Sequence, residues 1–146
     1  MSMPIGSETR SEGVSPGPVQ IGQQVTSFEE PDLIYVRLSG TVTDEEVQVI
    51  NALHLDYSRG RSRIFFLMDL EELEGLPTSV RKAVLETLNQ ISIGGLSIYK
   101  ASLTARVLTK LIVTGMRLFG KHLPLEFSET EAEARAWIEQ RRAIPN

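Results

Sequence analysis

The chain has 146 residues, two histidines and no cysteine, so it is long enough for one domain with its own core. The missing thiols exclude disulfides, thiolate metal sites and a cysteine nucleophile. The net charge of −4 is unevenly spread, because the segment from Lys100 to Leu123 holds five basic residues and no acidic one. No window is apolar enough to span a bilayer, and the N-terminus has no apolar signal core, so we expect a soluble, cytoplasmic protein.

The first 18 residues are rich in Ser, Gly, Pro and Glu and show no apolar period. Such a composition predicts a flexible tail that cannot offset its ordering entropy. We therefore place one folded domain at residues 19–142 and the tail at 1–18.

The first half of the domain predicts two strands, a helix and a buried strand. The strands are Val19 to Phe28 and Leu33 to Leu38, and Pro31-Asp32 forms the turn between them. Thr43 and Glu46 have the spacing of a capping box, so a helix begins there and ends at Gly60. Its predicted apolar face is Val47, Val49, Ile50, Leu53 and Tyr57. Ile64 to Leu70 is almost wholly apolar, as in a central strand covered on both sides.

The second half continues the alternation of helices and strands. A second helix is predicted from about Pro77 to Ile91, broken by Gly94-Gly95, and then a strand from Leu96 to Leu103. A third helix spans roughly Ala105 to Phe119, with its packed half at Leu108, Leu111, Ile112, Gly115, Met116, Leu118 and Phe119.

The last segment predicts a short strand, Leu125 to Phe127, and a final helix that carries Trp137, the only tryptophan. Two capping boxes compete for the start of that helix, Ser128 with Glu131 and Thr130 with Glu133. The element order predicts an α/β domain with a mostly parallel sheet of four to five strands, an antiparallel edge strand and about four flanking helices.

Three motifs resemble the STAS superfamily, and specifically its SpoIIAA-like branch. They are GTVTDEE after the second strand, FFLMDLEELEG at the third, and FSETEAEARAWIEQ at the end of the chain. The resemblance implies a small regulatory or binding module rather than an enzyme, and some relatives are thought to bind apolar or lipid ligands. Anti-sigma-factor antagonists of this superfamily carry a phosphorylatable serine in an Asp-Ser-Ser-Gly setting. Pro77, Thr78, Ser79 and Val80 align with it, so the aspartate and the glycine are missing here.

Asp69, Thr78 and Ser79 are the candidate ligand- or partner-binding residues. Asp69 lies near the carboxyl end of the central strand, where ligands bind in open α/β sheets. Thr78 and Ser79 begin a helix, whose N–H groups and dipole favour anions. The simpler alternatives are a helix cap and, for Asp69 with the acidic rim Glu71, Glu72 and Glu74, a solvated loop.

His54 falls inside the apolar face of the first helix. It is either an acid–base group or a packed, hydrogen-bonded histidine, and the second interpretation is favoured because no partner constellation is evident. With His122 in a distant loop, we expect no zinc site.

The third helix carries a basic stripe, Arg106, Lys110, Arg117 and Lys121. The stripe predicts contact with an anionic membrane or an acidic partner, or simply a solvated face on a packed helix. The acidic chain has no recognition-helix motif and no glycine-rich phosphate loop, so we expect no nucleic acid and no cofactor.

The leading hypothesis is a non-enzymatic module that recognises a protein partner or a small apolar, lipid-like ligand. The alternatives are peripheral membrane association through residues 105–121 and a phosphorylation-regulated antagonist. A homo-oligomer is compatible with each of these hypotheses. A roomy dry cavity between the sheet and the second and third helices would favour the ligand, and solid packing would favour the protein partner.

Overall fold

The computed structural model describes residues 17–145. The predicted tail therefore lies almost wholly outside the described residues, and its boundary stays a prediction. The strands are β1 Val19–Ile21, β2 Gln24–Glu29, β3 Leu33–Arg37, β4 Gly40–Thr41, β5 Ile64–Asp69, β6 Leu73–Gly75, β7 Ile93–Tyr99 and β8 Leu125–Ser128. The helices are α1 Asp44–Ser58, α2 Thr78–Leu88, α3 Leu103–Arg117 and α4 Glu131–Arg142.

Six strands form the main sheet in the order β1-β2-β3-β5-β7-β8. β1, β2 and β3 pair antiparallel, and every pair from β3 to β8 is parallel. The fold class predicted from the sequence is confirmed. The sheet gains a strand because the segment from Val19 to Phe28 folds into a hairpin, whose turn is at Gly22 with φ +59°. β4 and β6 make a separate two-stranded parallel sheet.

The central strand β5 is buried on both faces. Phe65 and Phe66 point to opposite sides and are 0% and 2% exposed. Phe66 packs with residues of α1, α2 and α3, whereas Phe65 packs with Ala134 and Ile138 of α4. The sheet is thus covered by three helices on one face and by α4 alone on the other.

The predicted capping boxes are correct for two helices. Thr43 caps α1 with Glu46, and Thr130 caps α4 with Glu133, with both reciprocal hydrogen bonds present in each case. The competing box at Ser128 does not form, because Ser128 is the last residue of β8 and pairs in the sheet.

The predicted break at Gly94-Gly95 is wrong, because both glycines lie inside β7. A Cβ on Gly94 would stand 2.6 Å from the Phe65 ring, and one on Gly95 would stand 2.8 Å from the ring of Trp137. These glycines are therefore sites of close side-chain approach. The neighbouring boundaries shift accordingly: α2 ends three residues early, and Leu103 begins α3 after the cap Ser102.

Several apolar residues predicted to be packed are exposed. Val49 on α1 and Leu111, Leu118 and Phe119 around α3 are about half exposed or more. A helix that packs on a sheet buries only one arc, and these four lie outside it. In the described part of the chain, no helix has the length and apolarity to cross a bilayer.

Candidate functional site

An apolar cavity of about 90 Å³ lies between the main sheet and helices α1, α2 and α3. Its floor is formed by residues of three strands, Val36, Phe66, Met68 and Leu96. Leu70, Leu73 and Leu76, from the segment that joins β5 to α2, close one end. The region between the sheet and the second and third helices is thus not solidly packed.

Short polar side chains form part of the helical wall. They are Asn51 and His54 of α1, Thr87 of α2 and Thr109 of α3. Asn51 Nδ2 donates to the carbonyl oxygen of Ala83 at 3.1 Å, and Thr109 Oγ1 donates to that of Ala105 at 2.8 Å. The wall therefore offers hydrogen-bonding groups opposite a purely apolar floor.

His54 is the buried histidine of the cavity. Its Nε2 is 2.9 Å from Thr26 Oγ1, and its ring lies edge-on to Phe66 with the centroids 5.5 Å apart. Burial away from any carboxylate lowers its pKa from 6.5 to about 3. The ring is neutral at pH 7, so the interpretation of His54 as a packed, hydrogen-bonded residue is confirmed.

An empty space of this size is unusual in a protein interior, where voids larger than a water molecule are few. At about 24 cal/mol per Å³, a void of 90 Å³ corresponds to roughly 2 kcal/mol of lost stabilisation. Such a cost is a substantial part of a domain's net stability, which is typically about 5–15 kcal/mol.

Asp69, Thr78 and Ser79 lie at the carboxyl edge, by which we mean the ends of β5 and β7 and the first turn of α2. Asp69 Oδ1 accepts the backbone N–H of Glu71 at 3.1 Å and so shapes the turn after β5. Thr78 Oγ1 accepts from Arg81 Nη2 at 3.2 Å, and Ser79 Oγ donates to Asp44 Oδ1 at 2.7 Å. Within residues 17–145, neither hydroxyl is hydrogen-bonded to Asp69.

The acidic rim is solvated. Glu71, Glu72 and Glu74 are exposed and lie beside a shallow depression shared with Ser102 and Thr104. No group of three potential ligands in the described residues is arranged to hold a metal ion.

The four basic residues of the predicted stripe make different contacts. α3 ends at Arg117, so Lys121 leaves the helix and its Nζ donates to Asn89 O at 2.6 Å. The Arg106 guanidinium lies over Phe127, 4.6 Å from the ring centroid. Lys110 and Arg117 instead line a groove that also contains Trp137. Lys121 thus lies beyond the end of the helix, and a role for the stripe as a binding surface stays a prediction.

Sequence reasoning missed the polar wall of the cavity. Asn51, Thr87 and Thr109 occupy inward positions of three amphipathic helices. A polar residue inside an apolar helical face was the available signal, and it was used only for His54.

No protein-family model matches this chain, and no curated protein matches it. Among the solved structures that resemble it over most of its length are the following two. The anti-sigma factor antagonist SpoIIAA in its unphosphorylated form is 18% identical, with a TM-score of 0.56, and the match covers 83% of this chain and 97% of SpoIIAA. An uncharacterized protein of the DUF3478 family with a SpoIIAA-like fold, from Shewanella loihica PV-4, is 16% identical with a TM-score of 0.60, covering 88% and 98%. The chain therefore has a SpoIIAA-like fold.

Proposed function

We propose that this chain is a non-enzymatic regulatory module of the STAS type, which binds a small apolar ligand in the cavity and a protein partner at the carboxyl edge. The observation that carries the proposal is the largely apolar cavity of about 90 Å³ between the sheet and three helices. The SpoIIAA-like fold supports the regulatory role.

The size and lining of the cavity define the ligand class. An engineered apolar cavity of about 150 Å³ binds benzene, so a space of 90 Å³ accepts a compact molecule of a few carbon atoms and excludes a long acyl chain. One polar group on that molecule would meet Asn51, Thr87 or Thr109 on the helical wall. The ligand we propose is a small hydrocarbon body with a single hydroxyl or carbonyl group.

The partner surface is proposed at Asp69, Thr78 and Ser79, because the segment between β5 and α2 lines the cavity and also leads into this surface. Leu73 and Leu76 line the cavity, and Thr78 begins α2 two residues after Leu76. A ligand that contacts these leucines would restrict the first turn of α2 and thereby change the surface shown to the partner.

Phosphorylation of Ser79 is not part of this proposal. Its hydroxyl donates to the Asp44 carboxylate, so a phosphoryl group there would face a like charge. Thr78 lies instead beside Arg81, and mass mapping after incubation with candidate kinases would distinguish the two residues.

The ligand is tested with cyclopentanol as a probe, followed by amide chemical shifts. We expect saturable shifts in the backbone around the cavity and slower amide exchange at residues 73–80. Val84→Ile, which adds one methylene to the cavity wall, should weaken the probe's affinity several-fold, whereas Val80→Ile on the same helix lies outside the cavity lining and should not. Unchanged cavity amides up to the solubility limit would remove the ligand from the proposal.

A second candidate function, attachment to an anionic membrane surface, is favoured by the apolar stripe of α3. The stripe comprises the outward residues Leu103, Val107, Leu111 and Leu118. At 100° per residue they fall within 80° of arc, and Leu103 and Leu118 are 79% and 85% exposed. The basic residues Arg106, Lys110 and Arg117 lie next to this arc, a combination typical of interfacial helices.

Vesicle binding tests the second candidate. The chain should bind phosphatidylserine vesicles, bind neutral vesicles less, and dissociate as salt rises. Replacing Val107 and Leu111 by serine should abolish binding. Val49→Ser, which removes an equally exposed apolar residue from α1, is the matched control. Equal loss in the control would contradict a role for the stripe.

A further inference from the structure

A second depression, the basic groove, lies at the β8 edge of the main sheet and is lined by residues of α3, of the loop before β8 and of α4. It encloses about 610 Å³ and shares no lining residue with the cavity. Four basic side chains line it, Lys110, Arg117, His122 and Arg141, together with an apolar surface formed chiefly by Trp137 and Leu123. A volume of this order suits a small organic molecule.

No acidic residue lines the basic groove. Among the described residues, Lys110, Arg117 and Arg141 form no ion pair, whereas Arg135 and Arg142 on the same helix as Arg141 are both paired with carboxylates. The positive charge on this side is thus left without a protein counter-charge, and it converges on one open space.

Arg141 has a guanidinium whose hydrogen-bonding groups are not all satisfied by the protein. Its Nε is buried without any hydrogen-bond acceptor, and its guanidinium carbon lies 5.7 Å from the centroid of the Trp137 ring. A buried N–H of a charged group normally has an acceptor, because leaving it unpaired is costly. Arg141 also lines the groove, so its guanidinium would meet an anion there, and guanidinium groups match carboxylate and phosphate oxygens in geometry.

Trp137 supplies the apolar half of the site. It is partly buried and packs over Gly95 of β7, where a Cβ would stand 2.8 Å from its ring. The close approach fixes the indole in place while it lines the groove. A fixed aromatic surface beside a guanidinium favours a flat molecule, because stacking requires little loss of side-chain freedom.

We propose that the basic groove binds a small organic anion. Its phosphate or carboxylate group is held by Arg141, Lys110 and Arg117, and its flat apolar body lies against Trp137. This site is independent of the ligand and the partner proposed above, because it shares no lining residue with the cavity and includes none of Asp69, Thr78 and Ser79.

Trp137 is the only tryptophan of the chain, so its fluorescence reports on the groove. Titration with phenyl phosphate should change the Trp137 emission saturably, and added salt should weaken the affinity. Inorganic phosphate and phenol, the two halves of the probe, should each bind at least about tenfold more weakly. Calorimetry with the same three compounds provides an affinity that does not depend on the fluorophore.

Arg141→Gln and Lys110→Gln should each weaken phenyl phosphate binding about tenfold or more, as expected from the loss of a charged hydrogen bond. Lys82→Gln, on an exposed position of α2, is the matched charge-removing control and should bind like the parent chain. Circular dichroism confirms that each variant is folded. Binding that is equally tight with phenol, equally tight with inorganic phosphate, or equally reduced in the control would overturn the proposal.

Discussion

The two faces of the sheet are packed in different ways. On one face, Trp137 of α4 approaches β7 so closely that only glycine fits at position 95, and Arg135 and Arg142 of the helix pair with carboxylates. On the other face, three helices cover the sheet and leave a space of about 90 Å³. The α4 face is therefore closely packed, and the cavity lies under α1, α2 and α3.

The difference follows from the residues that point inward. Leu33, Phe65 and Leu67 meet Ala134 and Ile138 on the α4 face, and together they fill the layer. The opposite wall has Asn51, Thr87 and Thr109 at inward positions, where leucine would fill the space. Short polar side chains leave volume that neighbouring helices cannot close, because each helix is already held by its own contacts with the sheet.

The largest expected effect is a loss of domain stability in acid, caused by His54 at the cavity. The pKa of His54 is about 3 in the folded chain and near 6.5 when unfolded, so between these values the unfolded state binds the extra proton. Stability is complete above pH 6.5 and falls as pH falls, by roughly 1.4 kcal/mol per unit. We expect a loss of roughly 2–3 kcal/mol between pH 6.5 and 4.5, measured by urea unfolding.

The two histidines provide the control for that experiment. His54→Gln should remove this part of the pH dependence, whereas His122→Gln, at an exposed loop position, should retain it. Equal slopes for the two variants would show that His54 is protonated in the folded chain.

Overpacking should be costly on the α4 face. In Gly95→Ala the new Cβ would meet the Trp137 ring at 2.8 Å, a contact that the packed indole cannot relieve freely. We expect a loss of about 1–3 kcal/mol in the free energy of unfolding. Adding Trp137→Leu should recover part of that loss, so a double-mutant cycle should give a clear coupling energy. Additive effects would contradict the close approach.

These glycines also show where sequence reasoning stops. The capping boxes at Thr43 and Thr130 depend on residues three apart, so local spacing was enough to place the starts of α1 and α4. The role of Gly95 depends on Trp137, 42 positions away. From local sequence alone, Gly94-Gly95 is equally typical of a break after a helix. Glycine's meaning in a strand comes from what approaches it, which a single sequence does not contain.

The candidate site likewise has features that local sequence predicts and features that depend on tertiary packing. His54 stood out because a lone histidine interrupts an apolar face, and its packed environment was predicted correctly. The basic groove was not predicted, because α3 and α4 lie on opposite faces of the sheet, and Arg141 comes near Lys110 and Arg117 only around the edge strand β8. The exposure of Leu111 and Leu118 was missed because an apolar residue at helical spacing is more often buried than exposed.

At the cavity, enlarging a side chain should raise the free energy of unfolding, whereas at Gly95 it should lower it. Val84→Ile adds a methylene toward existing space, so we expect a gain of up to about 0.8 kcal/mol. Val80→Ile, on the same helix, replaces a residue that is 0% exposed and lies outside the cavity lining, and it should be destabilising. Chemical denaturation of the two variants compares the packing directly. A loss of stability in Val84→Ile would show that the cavity cannot accept even one methylene.

The smallest effect should come from the ion pair that links α4 to β2. Arg135 binds both carboxylate oxygens of Glu29, at 2.9 and 3.0 Å, and the pKa of Glu29 is lowered mainly by this hydrogen bond. Both side chains are about two-fifths exposed, so water and salt screen the pair. Arg135→Lys keeps the charge but loses the bidentate geometry, and we expect it to cost about 0.5 kcal/mol or less, decreasing as salt is added. A larger, salt-independent cost would mean that the pair helps to hold α4 against the sheet. The position of α4 would then depend on charge as well as on close packing.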